Sequence, residues 1–316
     1  MELQKLEVGE CETLHSIPKS PVLWRGIGSE WTCTRNWTLT GLAERLSGRK
    51  IPVRVTDNEI DVLFKRKADE SPCHQFMLFD EYIKSILRMS RGDRDRPAYA
   101  GNISIRHDPV LSDWAGTLLD DCPISGWFPG GQLDEYRIWI GAAGQKSAIH
   151  NDPYDNLNVQ IIGRKKFIIF APDQHEYLYP EFMHSHLWAS RIDPDFPDIE
   201  RFPKFESARG FVGELSPGDV LFIPKFWWHV FSAIEASLNI NRWIYSEEKS
   251  QQCWHEQPSA KKFIDYGELL CSLDKRFELL DSEGRERHRE RFEELRCGML
   301  RLAEESKAAT GVMDGA

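Results

Sequence analysis

Between residues 131 and 245 the chain is a series of short strand-like segments separated by turn signals, and this pattern constrains its fold most strongly. The predicted strands cover 136–140, 158–162, 166–170, 213–215, 220–223 and 237–244. Pro217 and Gly218 occupy the second and third positions of a predicted type II turn, which leads into the strand at Val220. Short strands at this spacing indicate a sandwich or a barrel.

The regions on either side of this β-rich segment have a different pattern. Residues 1–130 mix short apolar runs with helical segments and predict an α+β part. The residues after Pro258 form two charged amphipathic stretches, which predict a C-terminal helical hairpin over 259–306. Its apolar stripes either pack on the hairpin's own domain or form a dimer. We therefore expect a mainly β core over 131–246 with flanking helices.

Composition narrows the classes of partner. The 316 residues include 50 Asp and Glu against 40 Lys and Arg, a net charge of -10 that disfavours phosphate backbones and anionic membranes and favours a basic peptide. The seven cysteines include no CxxC pair, which is typical of reduced thiols in a cytoplasmic or nuclear protein. No apolar stretch approaches the roughly 18 residues of a membrane span. We expect a soluble protein of the cytoplasm, the nucleus or both.

The segment around His150 carries the residues with the clearest chemistry. In an extended chain residues i and i+2 project to the same face, so His150 and Asp152 can bind one ion. Two histidines and one carboxylate can hold three positions of an octahedral Fe(II) and leave three positions open for a co-substrate and O2. His229, which follows Trp227 and Trp228 after a predicted strand, is the candidate for the third ligand. An H-x-D pair alone often arises by coincidence, so the assignment depends on what accompanies it.

Four collinear motifs around these residues resemble the jumonji-C domain of small cupin-type hydroxylases. The motifs are HNDPYDN at 150–156, VQIIGRKKF at 159–167, ELSPGDVLFIP at 214–224 and WWH at 227–229. This group includes arginyl and asparaginyl protein hydroxylases and the tRNA wybutosine hydroxylase, and the resemblance covers roughly residues 20–245. It implies a double-stranded β-helix, the jelly-roll fold of cupins, with Fe(II) held by His150, Asp152 and His229.

The resemblance also implies which residues contact 2-oxoglutarate, the co-substrate. Lys165 matches the lysine that pairs with the distal carboxylate of 2-oxoglutarate. Lys166 is its close rival, because adjacent strand residues point to opposite faces. Ser147 matches a hydroxyl that helps bind the same carboxylate, and Asn156 matches an amide that contacts the co-substrate. The other pocket residues that the resemblance implies are Tyr99, Asn241 and Trp243.

Alternatives stay open for these residues, since each could be an ordinary packed or hydrogen-bonded residue of the core. This applies above all to Tyr99, where the upstream segment aligns poorly, and to Trp243.

The resemblance implies an Fe(II)- and 2-oxoglutarate-dependent dioxygenase, for which three substrate classes compete. These are a carbon of a protein side chain, an N-methyl-lysine of a histone and a modified tRNA nucleoside. The acidic balance favours a basic peptide over tRNA, because RNA binding depends on Lys and Arg neutralising phosphates. The absence of zinc-binding CxxC pairs argues against the reader modules of demethylases.

We therefore expect a protein hydroxylase, with a possible homodimer through the C-terminal helices. A basic patch of Arg45, Arg49, Lys50 and Arg54 keeps the tRNA alternative open. The non-enzyme alternative is a metal-free cupin that serves as an interaction module.

Overall fold

The computed structural model describes nine ranges of the chain and four further residues. They are 1–9, 17–55, 74–89, 98–106, 111, 115–128, 133–152, 154–182 and 188–245, with Glu286, Arg289, Glu293 and Cys297. The chain divides into two compact units, one of residues 1–183 and 188–250 and the other of 184–187 and 251–316. In the second unit the four described residues of the C-terminal region are helical and exposed. The rest of the predicted hairpin lies outside the described residues.

Two β-sheets contain the fifteen strands of the described residues. In spatial order the first sheet contains β1 (Glu2–Lys5), β12 (Arg209–Leu215), β9 (Lys165–Phe170), β14 (Trp228–Ala233), β7 (Ile149–Asn151), β11 (Trp188–Ser190) and β10 (Pro180–Phe182). The second contains β2 (Val22–Trp24), β13 (Val220–Ile223), β8 (Asp155–Ile162), β15 (Ser237–Tyr245), β6 (Leu133–Gly141), β5 (Ala98–Ser104), β3 (Lys50–Val55) and β4 (His74–Leu78). Among these strands only the β1–β12 pair is parallel.

Successive strands alternate between the sheets from β6 to β9 and again from β12 to β15. This alternation is the winding of a jelly roll, and it confirms the predicted mainly β, cupin-type core. Strands from the first 130 residues extend both sheets: β1 and β2 lie at one edge of each sheet, and β5 pairs with β6.

Four α-helices within the described residues flank the second sheet. They are α1 (Thr32–Asn36), α2 (Leu39–Arg45), α3 (Phe79–Met89) and α4 (Ala115–Asp121). The Tyr82 hydroxyl of α3 donates to the Ile140 carbonyl of β6 and accepts from the Ala100 amide of β5, so one side chain ties this helix to two strands. No helix of the described residues is both long and apolar enough to cross a membrane.

The two faces of the second sheet carry different side chains. On β15, Leu238, Ile240 and Ile244 pack into the large apolar cluster that includes the helices. The intervening Asn239 and Asn241 are buried and hydrogen-bonded to each other. Because side chains alternate along a strand, the apolar face points to the helices and the polar face points to the interior between the sheets.

The turn before β13 has the geometry that the sequence predicts. Gly218 has a φ of +89°, which suits the third position of a type II turn, and the Asp219 amide donates to the Ser216 carbonyl. The buried Asp219 carboxylate accepts hydrogen bonds from the Gly26 amide at 2.8 Å, the Ser216 amide at 2.8 Å and the Arg25 guanidinium at 2.6 Å. It therefore joins the turn to the segment after β2.

Replacing Asp219 with Ala should lower the free energy of unfolding by about 2–4 kcal/mol, because two buried backbone amides lose a charged acceptor. Urea denaturation of the purified protein measures this change. Glu200→Ala, at an exposed position, serves as the control and should change stability by less than about 0.5 kcal/mol. Equal stability of the two variants would contradict the assigned role of Asp219.

Candidate metal centre

Strand pairing brings His150 and His229 face to face. His150 lies in the middle of β7, and His229 is its antiparallel partner on β14. Asp152 follows β7 directly. Its Oδ2 atom lies 3.8 Å from Nε2 of His150 and 3.6 Å from Nε2 of His229. The three candidate ligand atoms lie within 4.8 Å of one another, so a single cation can contact all three.

Backbone carbonyls fix the tautomer of both imidazoles. Nδ1 of His150 lies 2.9 Å from the Ala148 carbonyl oxygen, and Nδ1 of His229 lies 3.0 Å from that of Trp227. A carbonyl oxygen only accepts hydrogen bonds, so each Nδ1 carries the proton and donates it. Each Nε2 then has a free lone pair that points toward Asp152, as a metal ligand requires.

A tight turn before β14 connects Asp152 to His229. The Phe226 amide donates to the Asp152 carbonyl at 2.8 Å, and the Lys225 amide donates to the Asp155 carboxylate at 3.0 Å. Phe226 adopts a φ of +64°, a left-handed conformation that is uncommon for a bulky residue and that the surrounding contacts must maintain. The turn thus positions the carboxylate ligand relative to the histidine that follows three residues later.

Burial sets the protonation of the site. It raises the pKa of Asp152 above its usual value, and the nearby His150 partly opposes this shift. Burial, with a smaller contribution from His150, lowers the pKa of His229 to about 3, and the hydrogen bond to the Trp227 carbonyl acts in the opposite direction. His229 is therefore neutral near pH 7, the form that binds metals, while a divalent cation would offset the unfavourable burial of the Asp152 carboxylate.

The donor set fits a divalent first-row metal. Two imidazole nitrogens and one carboxylate oxygen lie within 4.8 Å of one another, a donor set that Fe(II) oxygenases use and that leaves coordination positions for other ligands. The backbone carbonyls of Ala148 and Trp227, each hydrogen-bonded to Nδ1 of a histidine, orient both rings before any metal arrives. His150, Asp152 and His229 are thus the residues that would hold Fe(II).

A cavity inside the barrel contains three of the predicted co-substrate residues. Its lining consists of Tyr99, Gly141, Gln145, Ser147, Lys165, Phe231, Ala233 and Ser237. Lys165 is 6% exposed, lines this cavity and donates from its ammonium group to Asn239, whereas the half-buried Lys166 binds Asp195 on the other side of the strand. Strand β9 begins at Lys165, one residue earlier than predicted, and so the alternation of the strand includes this lysine. Of the two rival lysines, Lys165 is the one inside the barrel.

The cavity contains polar atoms that fit an anionic ligand. The Ser147 hydroxyl accepts from the Phe231 amide at 3.0 Å and retains its own hydrogen for donation. Oγ of Ser237 and Oε1 of Gln145 are buried without a hydrogen-bond partner. The hydroxyl can donate to an anion, whereas the amide oxygen only accepts and needs a donor such as water. Buried polar atoms are rarely left unsatisfied, so these two indicate a ligand or water in the cavity. A carboxylate would satisfy the Ser147 and Ser237 hydroxyls and the Lys165 ammonium group.

Three other predicted residues lie outside the lining of this cavity. Asn156 accepts a hydrogen bond from Asn241 at 2.9 Å, so these two predicted residues contact each other. Trp243 stacks on Tyr154 with ring centroids 5.1 Å apart and planes nearly parallel. Tyr99, which does line the cavity, lies beside Trp139 at a centroid distance of 5.9 Å.

Three functional candidates escaped the sequence analysis. Gln145 and Ser237 line the cavity, and Asn239 accepts a hydrogen bond from the Lys165 ammonium group. Asn239 had a detectable signal, because it shares the period-two face of Asn241 and Trp243. Gln145 lies in a turn and Ser237 begins a strand, so nothing in the local pattern distinguishes them from surface residues.

Comparison with known proteins places this arrangement in a family. Residues 10–250 match the family described as Cupin-like domain. The chain is 30% identical over 243 residues to HSPB1-associated protein 1 of Bos taurus, covering 74% of this chain and 50% of that protein. It is 30% identical over 235 residues to lysine-specific demethylase 8 of Xenopus tropicalis, covering 72% of this chain and 48% of that protein.

A further relative is matched over most of its own length. The chain is 28% identical over 262 residues to tRNA wybutosine-synthesizing protein 5 of Danio rerio, covering 79% of this chain and 76% of that protein. By contrast, the chain spans about half the length of the first two relatives. The match over residues 10–250, with the three candidate metal ligands assembled inside a jelly roll, shows that the chain belongs to the cupin-like domain family of the jumonji-C group.

Proposed function

We propose that this protein is an Fe(II)- and 2-oxoglutarate-dependent dioxygenase that hydroxylates a carbon of a protein side chain in a basic peptide. The observation that carries the proposal is the coexistence of two features in one barrel interior. One is the triad of His150, Asp152 and His229, and the other is the buried ammonium group of Lys165 in a cavity lined by hydroxyls. A buried ammonium group calls for an anion, and a dicarboxylic 2-oxo acid can supply one.

Each residue of the site would have its own role in such a reaction. Bound Fe(II) would supply the activation of O2, with 2-oxoglutarate converted to succinate and CO2 as the substrate carbon is hydroxylated. The two neutral imidazoles and the Asp152 carboxylate would hold the metal on one side. Lys165 and Ser147 would orient the distal carboxylate of the co-substrate, while Phe231 and Ala233 cover the cavity with apolar surface and exclude water.

The tRNA alternative has specific support in the similarity to tRNA wybutosine-synthesizing protein 5 of Danio rerio, which extends over 76% of that protein. The net charge of -10 opposes it, because a phosphate backbone is bound mainly through Lys and Arg. Demethylation has support in the name of the Xenopus tropicalis relative. A cytoplasmic or nuclear location and a homodimer through residues 259–306 stay predictions.

The first prediction concerns the metal. His150→Ala should reduce Fe(II)-dependent succinate formation by at least about 100-fold, since losing a metal ligand should cost more than losing a group that only orients a ligand. Thermal unfolding should show an intact fold. His175→Ala, in the short 3-10 helix Pro172–Tyr177, is the matched control and should keep full turnover. Full turnover in His150→Ala would refute the proposed metal centre and favour the metal-free interaction module.

The second prediction distinguishes the two lysines. Lys165→Ala should raise the KM for 2-oxoglutarate by roughly 30-fold or more, because it removes the cation that faces the cavity. Lys166→Ala removes an ion pair with Asp195 outside the cavity and should change the KM by less than about threefold. Steady-state succinate assays at varied 2-oxoglutarate measure both values. A larger effect for Lys166→Ala would mean that the assigned direction of Lys165 is wrong.

The third prediction concerns the substrate. The protein with Fe(II), ascorbate and labelled 2-oxoglutarate should add 16 Da, the mass of one oxygen atom, to Arg- or Lys-containing peptides from a cell extract. Their binding should weaken with added salt, because screening shortens the electrostatic field to about 8 Å at physiological ionic strength. Submicromolar tRNA binding, together with basic peptides that leave 2-oxoglutarate turnover unstimulated, would instead support the tRNA hydroxylase.

A further inference from the structure

A chain of hydrogen bonds between side chains runs from Lys165 across the inner face of the second sheet. The Lys165 ammonium group donates to Oδ1 of Asn239, and Nδ2 of Asn239 donates to Oδ1 of Asn241 at 2.6 Å. Nδ2 of Asn241 then donates to Oδ1 of Asn156 at 2.9 Å. All four residues are at most 6% exposed. The chain therefore runs through the interior, where each amide needs a partner.

The lysine dictates the direction of every bond in this chain. An ammonium group only donates, so the amide of Asn239 must turn its oxygen toward Lys165. The nitrogen of Asn239 then faces Asn241, which must present its oxygen in return. The same reasoning turns the Asn241 nitrogen toward the oxygen of Asn156. One cation thus sets the orientation of three amides, two of which the family resemblance links to the co-substrate.

The chemical type of the lysine's partner decides what the cavity can bind. Asn239 holds the ammonium group in place but carries no charge, so this contact fixes the position of Lys165 without neutralising it. An aspartate has nearly the same shape, and at this position it would form a buried ion pair with Lys165. A carboxylate already paired with the lysine would compete with a carboxylate of the ligand and would repel it.

We propose that Asn239 is a positioning residue, which holds the ammonium group of Lys165 in place for the distal carboxylate of a 2-oxo dicarboxylic acid without adding a negative charge beside it. The inference rests on the proposed function, because it takes 2-oxoglutarate as the ligand of the cavity. It goes beyond that function in assigning the selectivity for a dicarboxylate to a neutral amide next to the lysine.

The experiment compares two ligands that share the 2-oxo acid end and differ in the distal carboxylate. Dissociation constants for 2-oxoglutarate and 2-oxobutyrate are measured by calorimetry on full-length protein loaded with Mn(II), which binds similar ligands. Asn239→Asp should weaken 2-oxoglutarate binding by roughly 30-fold or more, the size of effect expected at a buried charged contact. Binding of 2-oxobutyrate should change by less than about threefold, because it has no carboxylate to face Lys165.

Asn239→Ala provides the second variant, which removes the acceptor without adding a charge. It should weaken 2-oxoglutarate binding by about fivefold, the effect of one neutral hydrogen bond, and again leave 2-oxobutyrate binding nearly unchanged. The loss should therefore be larger for Asp than for Ala. A merely structural role predicts instead that both ligands lose affinity together, because Asp keeps the hydrogen bond from Lys165 but cannot donate to Oδ1 of Asn241.

Each remaining outcome is decisive. If Asn239→Asp weakens the binding of both ligands equally, the barrel is generally distorted and the positioning role is wrong. Unchanged 2-oxoglutarate binding in both variants would also overturn that role. A wild-type protein that binds neither ligand with Mn(II) present would refute the proposed function and this inference together. If the wild-type protein binds 2-oxoglutarate and neither variant weakens that binding, the inference is refuted and the proposed function stands.

Discussion

The antiparallel pairing of β7 with β14 is the interaction on which the rest of the site depends, because it places His150 directly across from His229. Two ladder partners lie about 5 Å apart, close enough for one ion to contact both rings. The backbone carbonyls of Ala148 and Trp227 then turn both Nε2 atoms the same way. The turn at Phe226 holds Asp152 beside them. A shift of one residue in the register of β14 would move His229 to the opposite face and leave no site.

The interior of the barrel contains an apolar cluster and, beside it, a polar site. On β9, Phe167 and Ile169 pack with Leu221 and Ile223, and this apolar cluster fills one part of the space between the sheets. Lys165, Asn239, Asn241 and Asn156 occupy another part, where each must be satisfied by its neighbours. The outer face of the second sheet, which packs on the helices, is apolar and supplies the hydrophobic stabilisation that the polar interior does not.

Membership of this family does not identify the substrate, because the relatives have different names. Residues outside the triad must select the substrate. The relatives include a lysine-specific demethylase and a tRNA wybutosine-synthesizing protein, and both are similar to this chain across the core. The same fold and metal site can serve different substrates, because the metal performs the chemistry and the surroundings select the molecule. The acidic surface charge and the stacked pair of Tyr154 and Trp243 are the features through which this chain can differ.

The sequence by itself determined six strands of the core, the type II turn at Gly218 and the three candidate metal ligands, because these depend on local periodicity, turn chemistry and short motifs. It did not predict β14, the strand that carries His229. Only the tertiary structure decided between Lys165 and Lys166, since adjacent strand residues differ solely in which sheet face becomes the interior. It alone joined Lys165 on β9 to Asn239 on β15, 74 residues away, because the two sheets face each other. Contacts at such separations follow from the closure of the barrel, which no local pattern encodes.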